Sequence, residues 1–155
     1  MARFSSTTDS EAVVAADRGA IWAALTDPQL LPRLTPLLQR IDTDGDLWRW
    51  HLRRIPVLGV VVSPSFTERM VFSPQQRIDY RHEPPAGAPE QAGADGWYRL
   101  DDAAGGTRLA ISLTLHVDLP LPGAARPAVD RVMQATLRHT GDRFAANLER
   151  HLGVR

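Results

Sequence analysis

The stretch TRLAISLTLHVDL, residues 107–119, alternates apolar and polar side chains along its length. Successive side chains of a β-strand point to opposite faces of the sheet, so this alternation is typical of a strand with one buried and one wet face. The pattern predicts a long amphipathic strand with His116 exposed. Its buried face would carry Leu109, Ile111, Leu113, Leu115 and Val117, and its wet face Arg108, Ser112, Thr114, His116 and Asp118.

The period of the pattern changes downstream of this strand. After Pro127 there is no further proline, and apolar residues recur at helical spacing to the end of the chain. We therefore expect one long amphipathic C-terminal helix, with His139 exposed. One side of it would carry Val129, Met133, Thr136, Leu137, Thr140, Phe144, Leu148 and His151, and the other Arg131, Arg138, Asp142 and Glu149.

Upstream of the strand, turn residues divide the chain from Leu37 to Val117 into segments of strand length, which predicts an antiparallel meander. At the N-terminus, Phe4 to Ala16 favours a first strand. Asp17 then provides an N-cap, and the prolines from Pro28 onward limit the helical region to two short helices.

This order of elements predicts an α+β fold in a single domain, residues 1–155. An antiparallel sheet of about six or seven strands would curve around the long C-terminal helix, with two short helices after the first strand. A sheet cannot close tightly on one helix, so the space between them tends to become a pocket.

Composition excludes several classes of function. The chain has 155 residues, 18 basic and 18 acidic, so its zero net charge argues against nucleic acid as a partner. It has no cysteine, no metal-ligand spacing among its histidines and no apolar run of signal-peptide or membrane-span length. We expect a cytoplasmic protein without a metal or other cofactor, and its oligomeric state is left open.

Three segments resemble the helix-grip superfamily that includes START domains, the Bet v 1 allergens and bacterial polyketide cyclases/dehydrases (the SRPBCC group). They are VVAADRGAIWAALTDPQLLPRL (13–34), GGTRLAISLTLHVDLPLPG (105–123) and RFAANLERHLG (143–153). The resemblance implies an internal cavity for a lipid, polyketide or aromatic metabolite. It does not imply catalysis, because proteins with a fold of this kind include carriers, sensors and enzymes.

The segment DLWRWHLRR, residues 46–54, alternates tryptophan with arginine and histidine. On a strand, Trp48 and Trp50 would point to one face and the basic residues to the other, whereas a base-stacking platform needs both on one face. The tryptophans therefore favour an inward position, either as plain core or as the wall of a ligand pocket. The outward row of Arg49, His51 and Arg53 would continue as Asp79, Arg81 and Arg99, an ordinary charged surface.

Two neighbouring segments place polar groups on the inward face. Phe66, Glu68, Met70 and Phe72 alternate in FTERMVF, which predicts an inward Glu68, and a buried carboxylate needs a partner or a raised pKa. In RIDYRH, Tyr80 and His82 share a face, and His82 could meet Glu68 as an acid/base couple. The alternative is that Glu68 lies at a strand edge or pairs with an arginine. Tyr98 is a further candidate, unless Trp97 takes the inward position.

The helix and one loop complete the predicted site. Met133, Thr136, Leu137, Thr140 and Phe144 lie on the inward helix face, with Asn147 and His151 further along. The threonine hydroxyls either bond back to their own helix or hold a ligand head group. The apolar segment from Ile55 to Pro64 is a candidate lid, or simply the end of one strand and the start of the next.

Three functions remain compatible with these patterns. The leading hypothesis is binding or transport of a hydrophobic small molecule in the internal cavity. The second is a polyketide cyclase/dehydrase-like enzyme that uses Glu68, His82 and Tyr80. The third is an accessory protein with a filled cavity, whose segment Ile55 to Pro64 contacts a partner protein.

Overall fold

The chain, which the computed structural model describes for residues 1–154, begins with strand β1 (Ala2–Val14) and helices α1 (Arg18–Leu25) and α2 (Leu31–Leu34). A short 3-10 helix at Gly123–Ala125 leads into the last element, helix α3 (Arg126–Leu152). The predicted order of elements is confirmed. Between α2 and that turn lie β2 (Leu38–Asp44), β3 (Leu47–Leu52), β4 (Ile55–Val57), β5 (Val60–Val62), β6 (Ser65–Ser73), β7 (Arg77–His82), β8 (Ala92–Ala103) and β9 (Gly106–Leu119).

Seven of the strands form one antiparallel sheet in the order β1-β9-β8-β7-β6-β3-β2. The helices α1 and α2 connect its two edge strands, β1 and β2. The alternation predicted for β9 sets the inward face, since Leu109, Leu115 and Val117 are buried in the core cluster. This face packs on α3 through Val129, Met133, Leu137, Phe144 and Leu148, in a helix-grip arrangement.

The short helices begin and end where the sequence predicts. The Asp17 carboxylate accepts a hydrogen bond from the Ala20 amide at 2.8 Å, which satisfies one free donor of the first turn of α1. Asp27 accepts from the amides of Gln29 and Leu30 at 2.9 and 3.2 Å and so shapes the turn toward α2. The Asn147 side chain of α3 donates to the Leu34 carbonyl at 2.9 Å and ties α2 to the long helix.

Helix α3 also closes part of an exposed sheet edge. Arg126 donates to the Arg3 carbonyl at 3.1 Å, and Gln134 donates to the Thr7 carbonyl at 2.9 Å. Both acceptors lie on the edge strand β1. The helix therefore occupies backbone groups that would otherwise be free to pair with another chain.

The segment from Ile55 to Pro64 forms a small hairpin of its own, in which β4 pairs with β5 outside the main sheet. Its turn places Leu58 and Gly59 at φ +49° and +84°. Positive φ at both central residues is the geometry of a tight hairpin turn, for which Asn-Gly or Gly-Gly is the usual choice. The segment is thus neither a plain loop nor a continuation of the neighbouring strands.

Candidate functional site

The inward face of β3, β6, β7 and β8 gathers most of the predicted site residues. Cross-strand partners there are Trp48 with Glu68, Met70 with Tyr80, and Trp50 with Phe66. Tyr98 is inward, opposite Ile78, and Trp97 is outward beneath the guanidinium groups of Arg77 and Arg99. The sheet therefore surrounds one carboxylate, Glu68, with aromatic and apolar side chains.

Glu68 is the exceptional residue of this face. It is 2% exposed, and its Oε2 atom is buried without a hydrogen-bond partner among residues 1–154. Burial raises its pKa well above the usual range, and the nearby carboxylates of Asp95 and Glu90 raise it further. Burial therefore favours the neutral form of the carboxyl group. It can then donate a proton or a hydrogen bond, which an ionised carboxylate cannot.

Two tyrosines share the environment of Glu68. The Tyr80 and Tyr98 rings lie 5.7 Å apart between centroids, and burial raises the pKa of both hydroxyls. The Tyr80 hydroxyl donates to the Ser112 carbonyl at 3.1 Å, crossing β8 at Gly96. A Cβ at Gly96 would lie 2.6 Å from that hydroxyl oxygen, so the glycine makes room for the ring. The tyrosines are neutral groups at physiological pH.

His82 does not form the predicted couple with Glu68. The two residues are cross-strand partners in the backbone, yet the His82 Nε2 atom lies 3.0 Å from Oε1 of Glu90. Glu90 comes from the loop between β7 and β8. The prediction was wrong about this contact because a side chain outside the sheet took the position that strand alternation assigned to Glu68.

Glu90 occupies the place where β7 leaves the sheet. Its carboxylate accepts hydrogen bonds from the Thr67 amide and the Thr67 hydroxyl, both at 2.8 Å, and its side chain is 5% exposed. Arg49 lies 3.7 Å away. Glu90 therefore continues the hydrogen-bond ladder of β6 and fixes the loop. Its only sequence signal is that it is the single charged residue between Glu83 and Asp95.

His116 is half-buried, which corrects its predicted exposure. Its ring packs against that of His82 with centroids 5.0 Å apart, and burial is the main cause of its lowered pKa. A Cβ at Gly93 would lie within about 2.5 Å of both rings, so the glycine is what allows them to meet. The expectation for His139 is confirmed, since that residue is exposed.

The tryptophans form part of the core and also carry an unused donor. Trp48 is buried and packs on Trp50 and Phe72, with ring centroids 5.9 and 5.7 Å apart. The Trp50 Nε1 atom is buried with no acceptor in the part of the chain described. Trp50 and Glu68 are diagonal neighbours across β3 and β6, a separation within reach of one small molecule.

A small apolar cavity lies between the β4-β5 hairpin, β9 and α3. Its volume is about 30 Å³, close to the space of one water molecule. Of the predicted helix residues, Met133, Thr136 and Leu137 line it, while Thr140 and Phe144 do not. This cavity is too small for a lipid or polyketide, so such a ligand must displace side chains or the hairpin to occupy it. The remaining lining residues are Leu37, Ile55, Val57, Val62, Pro64, Leu115, Val117 and Val132.

A larger depression of about 650 Å³ lies on the surface at the start of α1. Its charged groups already have partners: Asp17 caps α1, and Arg18 pairs with Asp102 at 3.0 Å. The outward face of the sheet is similarly paired, as with Arg77 and Asp79 at 3.0 Å. The exception on the outward face is His116, whose buried Nε2 atom has no hydrogen-bond partner among residues 1–154.

Residues 1–154 contain neither a membrane-spanning helix nor a metal cluster. None of the described helices is long and apolar enough to cross a membrane. The described histidine, aspartate and glutamate side chains form no group of three suited to a metal ion.

Comparison with protein families gives one match over nearly the whole chain. The family model described as polyketide cyclase / dehydrase and lipid transport matches residues 1–152. No curated protein sequence matches this chain.

Solved structures with the same fold are similar over nearly their full length. An aromatase/cyclase, Zhui, from Streptomyces sp. R1128 is 16% identical with a TM-score of 0.64, covering 95% of this chain and 93% of that one. A START superfamily protein from Mycobacterium smegmatis is 18% identical with a TM-score of 0.65, covering 93% and 97%. A Thermus thermophilus protein is 14% identical with a TM-score of 0.68, covering 93% and 94%. At these identities the likeness shows the fold alone.

Proposed function

Because the chain belongs to the polyketide cyclase/dehydrase and lipid transport family, we propose that it binds a hydrophobic small molecule that carries at least one polar group. The ligand class is a lipid, a polyketide or an aromatic metabolite. Its apolar body would lie between the sheet and α3, and its polar group would bond to Glu68. The cyclase/dehydrase alternative requires chemistry at the same carboxyl group.

The observation that carries the proposal is the unpartnered Glu68. A buried polar group without a hydrogen bond costs free energy, and native proteins leave few of them. Folding alone gives no reason for a carboxyl group among Trp48, Met70 and Tyr98. A ligand carbonyl or hydroxyl would supply the missing partner, and it would also reach the free Trp50 Nε1 atom.

The small volume of the cavity determines how a ligand could enter it. Because the cavity beneath the hairpin holds only about 30 Å³, it cannot accept a lipid or polyketide as it stands. Within the hairpin, the side chain of Val57 is buried, and those of Ile55 and Val62 are half-buried. Displacing the hairpin would join the cavity to the interior near Met133 and Leu137. The hairpin therefore acts as a lid in this proposal.

Catalysis is the second candidate, favoured by the raised pKa of Glu68. A neutral carboxyl can donate its proton to a substrate hydroxyl, which leaves as water, and the resulting carboxylate can accept a proton from the neighbouring carbon. One group thus serves as acid and then as base. His82 is not needed in this scheme, since it is bonded to Glu90.

Native mass spectrometry of the purified protein tests the proposal, followed by thermal unfolding with fatty acids and polycyclic aromatic ketones. A bound ligand at 100 times its Kd should stabilise the fold by about 2.7 kcal/mol. Glu68→Met, whose thioether forms no comparable hydrogen bond, should weaken binding by about tenfold, the loss of one good hydrogen bond. Glu11→Met, at an exposed glutamate on β1, is the matched control and should leave binding unchanged.

Two results would contradict the proposal. One is a protein that copurifies with nothing and gains no stability from any ligand of the panel. The other is a Glu68→Met variant that binds as tightly as the wild type. A product lighter than the ligand by one water, formed by the wild type and not by Glu68→Gln, would select the enzyme over the carrier.

A further inference from the structure

One end of the sheet is bordered by three segments without any charged residue. They are the hairpin segment 55–65, the loop segment 84–89 between β7 and β8, and segment 119–125, which leads into α3. All three lie at the same end of the antiparallel sheet, where β3, β7 and β9 end and where β6 and β8 begin. In a chain with 23% charged residues, this uncharged end is a distinct surface.

The hairpin tip is its most apolar part. Leu58 is 48% exposed and Val61 is 53% exposed. Leu58 also adopts φ +49°, a conformation unfavourable for a leucine and readily adopted by asparagine or glycine. The residue thus strains the backbone and exposes an apolar side chain to water. The hairpin turn accounts for the backbone conformation, and an apolar contact outside this chain would account for the exposed side chain.

Arginines border this uncharged end, and their charges are not neutralised. Arg53 and Arg54 precede the hairpin, and Arg126 begins α3. Arg53 and Arg126 donate to the carbonyls of Pro36 and Arg3, which are uncharged acceptors, and among residues 1–154 neither forms an ion pair. Arg54 is exposed.

Three acidic residues at the same end are already paired, and a fourth, Asp130, one turn after Arg126 in α3, has an Oδ1 atom that is buried without a hydrogen-bond partner among residues 1–154. Glu83 bonds to Arg69 at 2.6 Å and Asp118 to Arg3 at 2.9 Å, while Glu90 is buried against His82. At the opposite end, the turn between β2 and β3 carries Asp44 and Asp46. Asp44 and Asp46 thus lie away from Arg53, Arg54 and Arg126, although the net charge of the whole chain is zero.

We propose that this uncharged end binds the surface of an anionic lipid membrane. Leu58 and Val61 insert among the acyl chains, and Arg53, Arg54 and Arg126 contact lipid phosphates. A protein partner fits less well, because binding hot spots on proteins are rich in tryptophan and tyrosine, and the three segments contain neither. The proposal goes beyond ligand binding and does not depend on Glu68.

Membrane binding would also place the β4-β5 hairpin, the proposed lid, next to the bilayer, from which an apolar ligand could come. The hairpin that carries Leu58 covers the cavity with Val57. Insertion of the tip gives the bilayer direct contact with the element that must move. A ligand could then pass from lipid to interior without crossing water.

Co-sedimentation with vesicles tests this proposal. The wild type should bind vesicles of phosphatidylcholine with phosphatidylglycerol, bind pure phosphatidylcholine weakly and lose affinity as salt rises. Leu58→Asn should reduce binding by about tenfold while keeping the hairpin folded, because asparagine tolerates positive φ. Arg54→Gln should reduce binding by about fivefold and weaken its salt dependence.

Val71→Asn is the matched control. Val71 is 54% exposed on the outward face of β6, so this variant removes an equally exposed apolar side chain away from the proposed surface and should bind as the wild type does. A wild type that stays in the supernatant with anionic vesicles would overturn the proposal and leave a protein as the occupant. Equal binding by Leu58→Asn and the wild type, or equal binding to neutral and anionic vesicles, would overturn it as well.

Discussion

Two buried glutamates lie in the same part of the sheet, and only one of them has partners. Glu90 accepts two hydrogen bonds from Thr67 and lies 3.0 Å from His82, within reach of Arg49. Glu68, the residue after Thr67 on β6, is 2% exposed, and its Oε2 atom has no partner within the described chain. The charge of Glu90 contributes to the raised pKa of Glu68.

The difference in hydrogen bonding indicates different roles: Glu90 stabilises the fold, and Glu68 is the proposed ligand contact. Glu90 recovers the cost of its burial through contacts within the chain, because it replaces the backbone of β7 where that strand ends. The Oε2 atom of Glu68 has no hydrogen bond within residues 1–154 that would offset the cost of its burial. A residue that weakens the fold is expected where binding or chemistry needs it. Substitutions at each site can test whether the two glutamates differ in this way.

The largest effect is expected for Glu90→Ala. It leaves the Thr67 amide and hydroxyl without their acceptor and removes the contact to His82, so the free energy of unfolding should fall by about 3 kcal/mol. Chemical denaturation measures this change. Glu11→Ala, at an exposed site on β1, should change the stability by less than about 0.5 kcal/mol. Equal stability of the Glu90 variant and the wild type would mean that the loop holds to the sheet by other contacts.

An opposite effect is expected for Glu68→Met, which replaces the unpartnered carboxyl with an apolar side chain of similar length. At pH 7 the variant should be about 2 kcal/mol more stable than the wild type. Chemical denaturation from pH 4 to pH 8 measures the difference. Ligand binding should weaken by about tenfold in the same variant.

The pH dependence results from the raised pKa of Glu68. Below its unfolded pKa, about 4.3, both states of the wild type are protonated and burial carries no ionisation penalty. Above that pH the unfolded state releases its proton and the folded state keeps it, so the wild type loses stability with rising pH until the folded pKa is passed. The advantage of Glu68→Met should therefore grow from pH 4 upward. A constant difference would show that Glu68 ionises freely in the fold.

The fold was predictable because it depends on periodicity that neighbouring residues share. The alternation from Thr107 to Leu119 determines which face of β9 is buried, and every other strand of the main sheet is paired, directly or through its neighbours, in register with it. The hairpin was not predictable in the same way. Ile55 to Val62 contains no polar side chain, so the segment has no alternation that could distinguish a lid, a loop and a strand.

In the site, only the contacts between residues of the sheet were predictable. Glu68 was correctly placed inward by its alternation with Phe66 and Met70, and it stays a predicted ligand contact. The partner of His82 was missed because Glu90 arrives from a loop, where no period relates sequence position to space. The burial of His116 was missed for a similar reason, since it depends on Gly93 leaving room for two rings.

The smallest effect is expected for Thr67→Val, which tests how Glu90 is held. The substitution keeps the shape of the side chain and the 2.8 Å hydrogen bond from the backbone amide to Glu90. It removes only the hydrogen bond from the hydroxyl to Oε2 of Glu90. Stability should fall by about 1 kcal/mol. Thr7→Val removes a hydroxyl pair of the same length, with Thr114, at an exposed site and should cost less than about 0.5 kcal/mol. If the two variants lose the same stability, burial does not strengthen the Glu90 contacts, and the contrast with Glu68 then rests on the number of partners alone.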